Sequence, residues 1–180
     1  MNHRCFDAKT YTRRNSNRLP FYNYRSSGAY FITMCTHKRQ PVLEIPIIRT
    51  ALLERWHQLP QRFPGVRLDA FVIMPDHVHG ILWLDRSRKD APPLGSVIGA
   101  LKAWVTITWR KYHRDTHHPC LSHLWQRDYY EHVLRNEEDV VLTREYILSN
   151  PFQALLRQEQ RDEELKRGVR ESGRPSRPTN

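Results

Sequence analysis

Residues 69–85 read DAFVIMPDHVHGILWLD, and this stretch restricts the folds open to the chain more than any other. An apolar run at 70–74 is cut by Pro75-Asp76 and resumes at 80–84. Two short apolar runs divided by a proline break read as two strands joined by a tight turn. The second strand carries His77 and His79 two residues apart. Alternate strand residues face the same way, so both imidazoles project together while Val78 points into a core. Packing alone explains such a pair poorly, since each ring has two polar nitrogens to satisfy. Two imidazoles on one rigid strand form half of a divalent-metal site, with a structural pair as the alternative.

The chain has 180 residues, enough for one domain with a core and tails. Its net charge of +10 favours a polyanionic partner, most commonly nucleic acid. Much of that charge lies in residues 1–27, where Arg4, Lys9, Arg13, Arg14, Arg18 and Arg25 stand against one acid, Asp7. Tyr11, Phe21, Tyr22 and Tyr24 interleave with them. Arginines mixed with aromatics suit a segment that grips phosphates and stacks on bases, and the alternative is a disordered arm. Arg13, Arg14, Arg18 and Tyr24 are the DNA-binding candidates there, joined by Lys102 and Arg127 from the body of the chain. Cys5, Cys35 and Cys120 are odd in number and far apart, which implies no disulfide framework and a reducing compartment. No apolar run approaches membrane-spanning length, and residues 1–4 lead into no apolar leader. The expected location is cytoplasmic, at the nucleoid, with no membrane partner.

The rest of the chain supplies the other elements. Residues 28–36 form a first strand. A helix opens near Pro46 with the stripe Ile48, Leu52, Trp56 and Leu59, and Pro60 and Pro64-Gly65 end it. Strands at 66–74 and 77–84 precede a polar loop at 85–93. A helix over 96–112 carries Val97, Leu101, Trp104, Val105 and Thr108 at helical spacing. His113, His117, His118, Cys120 and His123 follow in a loop whose spacing matches no zinc finger. Residues 122–134 are extended. Asn136 caps a last helix, with Asp139 as an imperfect capping box, and the helix ends near Ser149 because Asn150 precedes Pro151. The body therefore spans 28–156, and 157–180 form a charged, disordered tail. Strand–helix–strand–strand–helix–strand is the ferredoxin-like (RRM-like) α+β order. It predicts an antiparallel sheet with helices on one face, plus an added C-terminal helix that the histidines could face.

On that last helix Tyr146 and Asn150 are four apart and share a face, and Leu142 extends the stripe inward. A two-histidine site needs further oxygen or nitrogen ligands, and Asn150 could supply one. A free phenol has a pKa near 10, so about one molecule in a thousand is phenolate at pH 7. A nearby divalent cation can polarise a phosphodiester oxygen and ease loss of the phenolic proton. Attack by the phenol would leave a phosphotyrosine link that a later hydroxyl could reseal. No GxxxxGK[ST] occurs, so nothing suggests an ATP site.

Three segments, FYNYRSSGAYFITMCTHKR, FVIMPDHVHGILWL and LWQRDYYEHVLRNEEDVVLTREYILSNP, carry a resemblance that runs over residues 21–151. In their order and spacing the chain resembles the bacterial REP-associated tyrosine transposases, a branch of the single-tyrosine HUH transposases. The resemblance implies that His77 and His79 bind Mg²⁺ or Mn²⁺, with Asn150 in the place of the third ligand. It implies Tyr146 as the nucleophile, giving a 5′-phosphotyrosine and a free 3′-hydroxyl on single-stranded DNA. Leu142 and Asn150 stand where two-tyrosine relatives would carry a second tyrosine. The implied partners are DNA hairpins of repetitive palindromic type, bound by a monomer or homodimer. One rival is a non-catalytic RNA- or DNA-binding ferredoxin-like module, although the Gly-Phe core of the RNP1 pattern is missing. Another is a metal phosphohydrolase, which would want a third alternating histidine where Ile81 stands. Tyr129 and Tyr130 are backup nucleophiles.

Overall fold

β-Branched and aromatic runs at four places in the chain become strands, and their alternation decides which helices cover which face. The computed structural model describes residues 27–85, 87, 91–117 and 123–172, with side chains described as far as 164. The strands are β1 (Gly28–Cys35), β2 (Val66–Ile73), β3 (His77–Leu84) and β4 (Tyr130–Leu134). They form one antiparallel sheet in the order β2-β3-β1-β4. The helices are α1 (Pro46–His57), the short α2 (Leu59–Arg62), α3 (Leu94–Thr116) and α4 (Glu137–Ser172).

On β1, Tyr30, Ile32 and Met34 point to one face and meet Val78 and Leu82 of β3. Leu52 and Trp56 of α1 and Val97, Leu101, Val105 and Trp109 of α3 close over them as the main core. The intervening residues face the other way. There Ala29, Ile81 and Leu134 pack against Val140 and Ile147 of α4 in a smaller core. The architecture is therefore the expected ferredoxin-like sheet with two long helices on one face, and the added helix covers part of the other.

Gly80 sets how closely α1 approaches β3. A Cβ at that position would lie 2.7 Å from the Trp56 ring and 3.0 Å from Phe71. Those two rings stack at 4.1 Å between centroids directly over the glycine. A side chain there would push the aromatic pair off the strand that carries the histidines.

Several boundaries differ from the expectation. Pro60 starts α2 rather than ending a helix, because proline fits a first turn, where its missing N–H has no partner to lose. The helix expected over 96–112 begins at Leu94 and runs to Thr116, where His117 in the left-handed conformation (φ 54°) stops it. Asn136 does cap α4, its Oδ1 accepting from the Asp139 N–H at 2.7 Å. Asp139 reaches back to the Arg135 N–H rather than to that of Asn136. The expected stop before Pro151 does not occur, and α4 carries 157–172 of the stretch read as a disordered tail. Proline removes one intrahelical bond, to the Ile147 carbonyl, but strong helix formers such as Gln153, Ala154, Leu155 and Leu156 follow it at once. Residues 173–180 lie outside the described residues.

Replacing Gly80 by alanine is expected to lower stability by about 1–3 kcal/mol through overpacking, as read from urea unfolding. An unchanged midpoint would mean that the Trp56–Phe71 stack can yield.

Candidate functional site

His77 and His79 stand on the α4 face of β3, as the period of two requires, with ring centroids 4.7 Å apart. Each has its Nδ1 engaged. Asp76 Oδ1 accepts from His77 Nδ1 at 2.6 Å. Thr33, directly across the ladder on β1, meets His79 Nδ1 through its hydroxyl at 2.8 Å. A carboxylate can only accept, so His77 donates from Nδ1, and in the neutral ring this leaves the Nε2 lone pair free. With Thr33 accepting in the same way, His79 presents Nε2 as well. This is how imidazoles are oriented for a cation by their outer partners.

Asp76 does more than orient His77. Its Oδ2 accepts from Arg39 Nε at 2.8 Å, and its main-chain carbonyl accepts from both the N–H and the hydroxyl of Thr36. The Pro75 carbonyl accepts from the Leu43 N–H at 3.0 Å. Arg39 and its neighbour Lys38 both hold positive φ, 57° and 54°. Burial raises the Asp76 carboxyl pKa, but the His77 bond and the charges of His77 and Arg39 outweigh it and leave the net value below the ordinary one.

Phe31, one alternation along from Thr33, is the hub of the site. Its ring stacks on His79 at 5.4 Å and meets Tyr146 edge-on at 6.1 Å and Tyr130 at 6.1 Å. Tyr146 itself stands 5.4 Å from His79, centroid to centroid, and is 44% exposed. The tyrosine and both histidines thus share one face. Tyr130 borders the same site from β4, with burial raising its pKa. Tyr129 turns to the opposite core and lies under the Lys102 ammonium. Asn150 is partly buried one helical turn beyond Tyr146, and its amide makes no hydrogen bond to either histidine among the described residues. Leu142 does not extend an inward stripe. It is exposed, and the inward positions are Val140 and Ile147, seven apart.

Among the DNA-binding candidates, Arg13, Arg14, Arg18 and Tyr24 lie outside the described residues. Arg127 is exposed. Lys102 is not a free surface cation. Its ammonium donates to the carbonyls of Gln126 and Asp128 at 3.0 Å and of Arg127 at 3.4 Å, and burial lowers its pKa to about 8. Its donors are spent holding the approach to β4. His113, expected in a loop, lies in the last turn of α3, and no group of three or more His, Cys, Asp or Glu that could hold a metal occurs among the described residues.

Sequence reasoning passed over Phe31, Thr33 and the orienting role of Asp76. The signal for the first two was the alternation that places 31, 33 and 35 on the face opposite Tyr30 and Ile32. For Asp76 it was the acid immediately before the first histidine.

A sheet of this order carrying paired histidines, with a tyrosine helix laid beside them, defines a class that comparison with known proteins identifies. The model of the IS200-like transposases matches residues 24–150, and the chain belongs to that family. It is similar to the REP-associated tyrosine transposase of Escherichia coli, 25% identical over 132 residues that cover 71% of this chain and 68% of that protein. It is also 32% identical to an uncharacterised protein of Haemophilus influenzae, over 77% of this chain and 88% of that one. A REP-associated tyrosine transposase solved bound to a REP hairpin shares the fold, with a TM-score of 0.55 and 24% identity over 78% of this chain and 74% of that one. No helix among the described residues is long and apolar enough to cross a membrane.

Burial, followed by the charges of His77 and Arg39, lowers the His79 pKa from 6.5 to about 3. The unfolded chain takes up this proton below about pH 6.5, whereas the folded chain refuses it until about pH 3. Stability of the metal-free protein should therefore fall as pH drops through that window, by up to about 1.4 kcal/mol per pH unit for this one group. A His79→Asn variant should decline less steeply than the parent between pH 6 and 4 in urea unfolding. Equal slopes would show that His79 is not the group responsible.

Proposed function

We propose that the chain is a single-tyrosine transposase that cuts and rejoins single-stranded DNA at hairpins, with Tyr146 as nucleophile and a 5′-phosphotyrosine intermediate. The observation that carries this reading is the Tyr146 ring, 5.4 Å from His79 on the same sheet face and open to solvent. Family membership supports the reaction class, and the relative solved with a REP hairpin supports a hairpin substrate.

Two imidazoles with bare Nε2 atoms and a nearby amide oxygen supply donors for a divalent cation. His77 and His79 would hold Mg²⁺ or Mn²⁺ through Nε2, with Asn150 as a further donor, and such an ion would supply charge neutralisation at the scissile phosphate. Asp76 keeps the neutral His77 ring in the tautomer that leaves Nε2 bare, and Thr33 does the same for His79 when its hydroxyl accepts from Nδ1. Phe31 and Tyr130 wall the site with aromatic surface, which limits where the phenol can swing. The Tyr146 oxygen forms a bond to phosphorus as it sheds its proton. The bond from phosphorus to the 3′ oxygen breaks, and that oxygen is protonated. The phosphotyrosine keeps the energy of the diester, so a 3′-hydroxyl can later reverse the step. The basic arm of residues 1–27, with Arg13, Arg14, Arg18 and Tyr24, and the exposed Arg127 would hold the DNA by phosphate contact and stacking. The domain would be 28–156, acting as a monomer or homodimer in the cytoplasm, at the nucleoid.

Incubating the protein with labelled hairpin single strands and Mn²⁺ should give a covalent adduct on a denaturing gel. Tyr146→Phe should abolish the adduct and leave hairpin affinity unchanged, and chelation should abolish it in the parent. An adduct that survives in Tyr146→Phe would move the nucleophile to another residue. Thr33→Val should weaken Mn²⁺ binding about 10–100-fold in titration calorimetry, the usual effect of losing the outer partner of a metal-binding histidine. Equal affinity would remove Thr33 from the site.

A further inference from the structure

Arg144 lies two residues before Tyr146 on α4, and its guanidinium grips Asp69 on β2 with two parallel bonds. Nε donates to Oδ1 at 2.8 Å and Nη2 donates to Oδ2 at 2.7 Å. The carboxylate is held from below as well, by Trp83 Nε1 at 2.9 Å and the Ala70 N–H at 2.8 Å. Arg144, foremost among these partners, holds the Asp69 carboxyl far below the usual carboxylate range. A bulge in β2 creates the position. The β2–β3 register shifts by one residue between Leu68 and Phe71. Leu68 and Phe71 both pack on the α1/α3 side, whereas Asp69 and Ala70 turn consecutively toward α4.

We propose that the Asp69–Arg144 fork is the positioning device that sets the rotation of α4 and so holds the Tyr146 phenol over the paired histidines. This rests on the reading of Tyr146 as the nucleophile. The apolar contacts of Val140 and Ile147 draw the helix onto the sheet, but burial is non-directional and tolerates turning and sliding. Each residue of a helix advances by about 100°, so a small rotation takes the phenol off the histidines. A planar fork on a fixed carboxylate resists that rotation, and a lysine at the same place would not. Arg144 and Asp69 act in this proposal as positioning residues, through the placement of Tyr146.

The test uses Arg144→Lys and Asp69→Asn in the full chain, with two readouts. The first is amide hydrogen exchange without DNA or metal. Exchange over residues 140–150 should quicken about tenfold in both variants while β1 and β3 stay protected. Unchanged α4 exchange overturns the proposal, and so does a uniform rise across the sheet, which would mark a role in fold stability alone. The second is single-turnover adduct formation on a hairpin strand. It should fall about 100-fold with hairpin affinity unchanged, the scale expected for a displaced reacting group. The double variant should be no slower than either single one, because both remove the same fork. Adduct formation at the parental rate in both variants overturns the proposal. If the parent forms no adduct, the nucleophile reading has failed, and the fork is then judged by the exchange of α4 alone.

Discussion

Thr33 lies directly across from His79, and Cys35 across from His77, in the antiparallel ladder between β1 and β3. That pairing is the constraint on which the site is built. It sets Thr33 against one imidazole, and one alternation away it sets Phe31 where both His79 and Tyr146 can lean on it. β1 and β3 are also the two inner strands, flanked by β4 and β2. Central strands are the last to open in a sheet, so the histidines sit on the steadiest backbone of the fold. The opposite face of the same strands is filled by Tyr30, Ile32, Met34, Val78 and Leu82, so the register that orders the site is also locked by the main core.

α4 is attached by a different balance of forces. Its smaller core offers two fully inward residues, Val140 and Ile147, while Leu142, Leu148, Phe152 and Leu155 stay exposed. So thin an apolar contact leaves much of the helix's placement to polar groups. The cap at Asn136 determines where it starts, and the grip of Arg144 on Asp69 determines how it lies. The sheet half of the site is therefore rigid by burial, and the tyrosine half is placed by directional bonds.

The hairpin and its histidine pair were legible in the sequence because they depend on local features: two apolar runs, one proline break and a period of two. The helix order and the Asn136 cap were legible for the same reason, and they suffice for the ferredoxin-like fold. Pairings between distant residues were not. Asp69 and Arg144 are 75 positions apart, and their meeting depends on a bulge that leaves no mark in the residue pattern. Lys102 read as a DNA-binding candidate because a lysine outside the helix's apolar positions is free to meet phosphate, and only the fold brings three carbonyls around it. Pro151 misled in the opposite way. A proline is a strong local signal, yet the helix formers after it outweigh one lost bond in α4.

The tip of the hairpin is tied down by a segment that contributes no histidine. Thr36, Arg39 and Leu43 together bond Pro75 and Asp76 through backbone and side chain, with Lys38 and Arg39 turned into left-handed conformations to make the reach. Left-handed geometry costs an ordinary residue about 1–2 kcal/mol, and such residues persist only where their surroundings over-determine them. Both loops therefore behave as one stiff block, and the first imidazole is held in a fixed direction by it. A ligand bound at this ring, as proposed, would find it already ordered, and little entropy would be lost in fixing it.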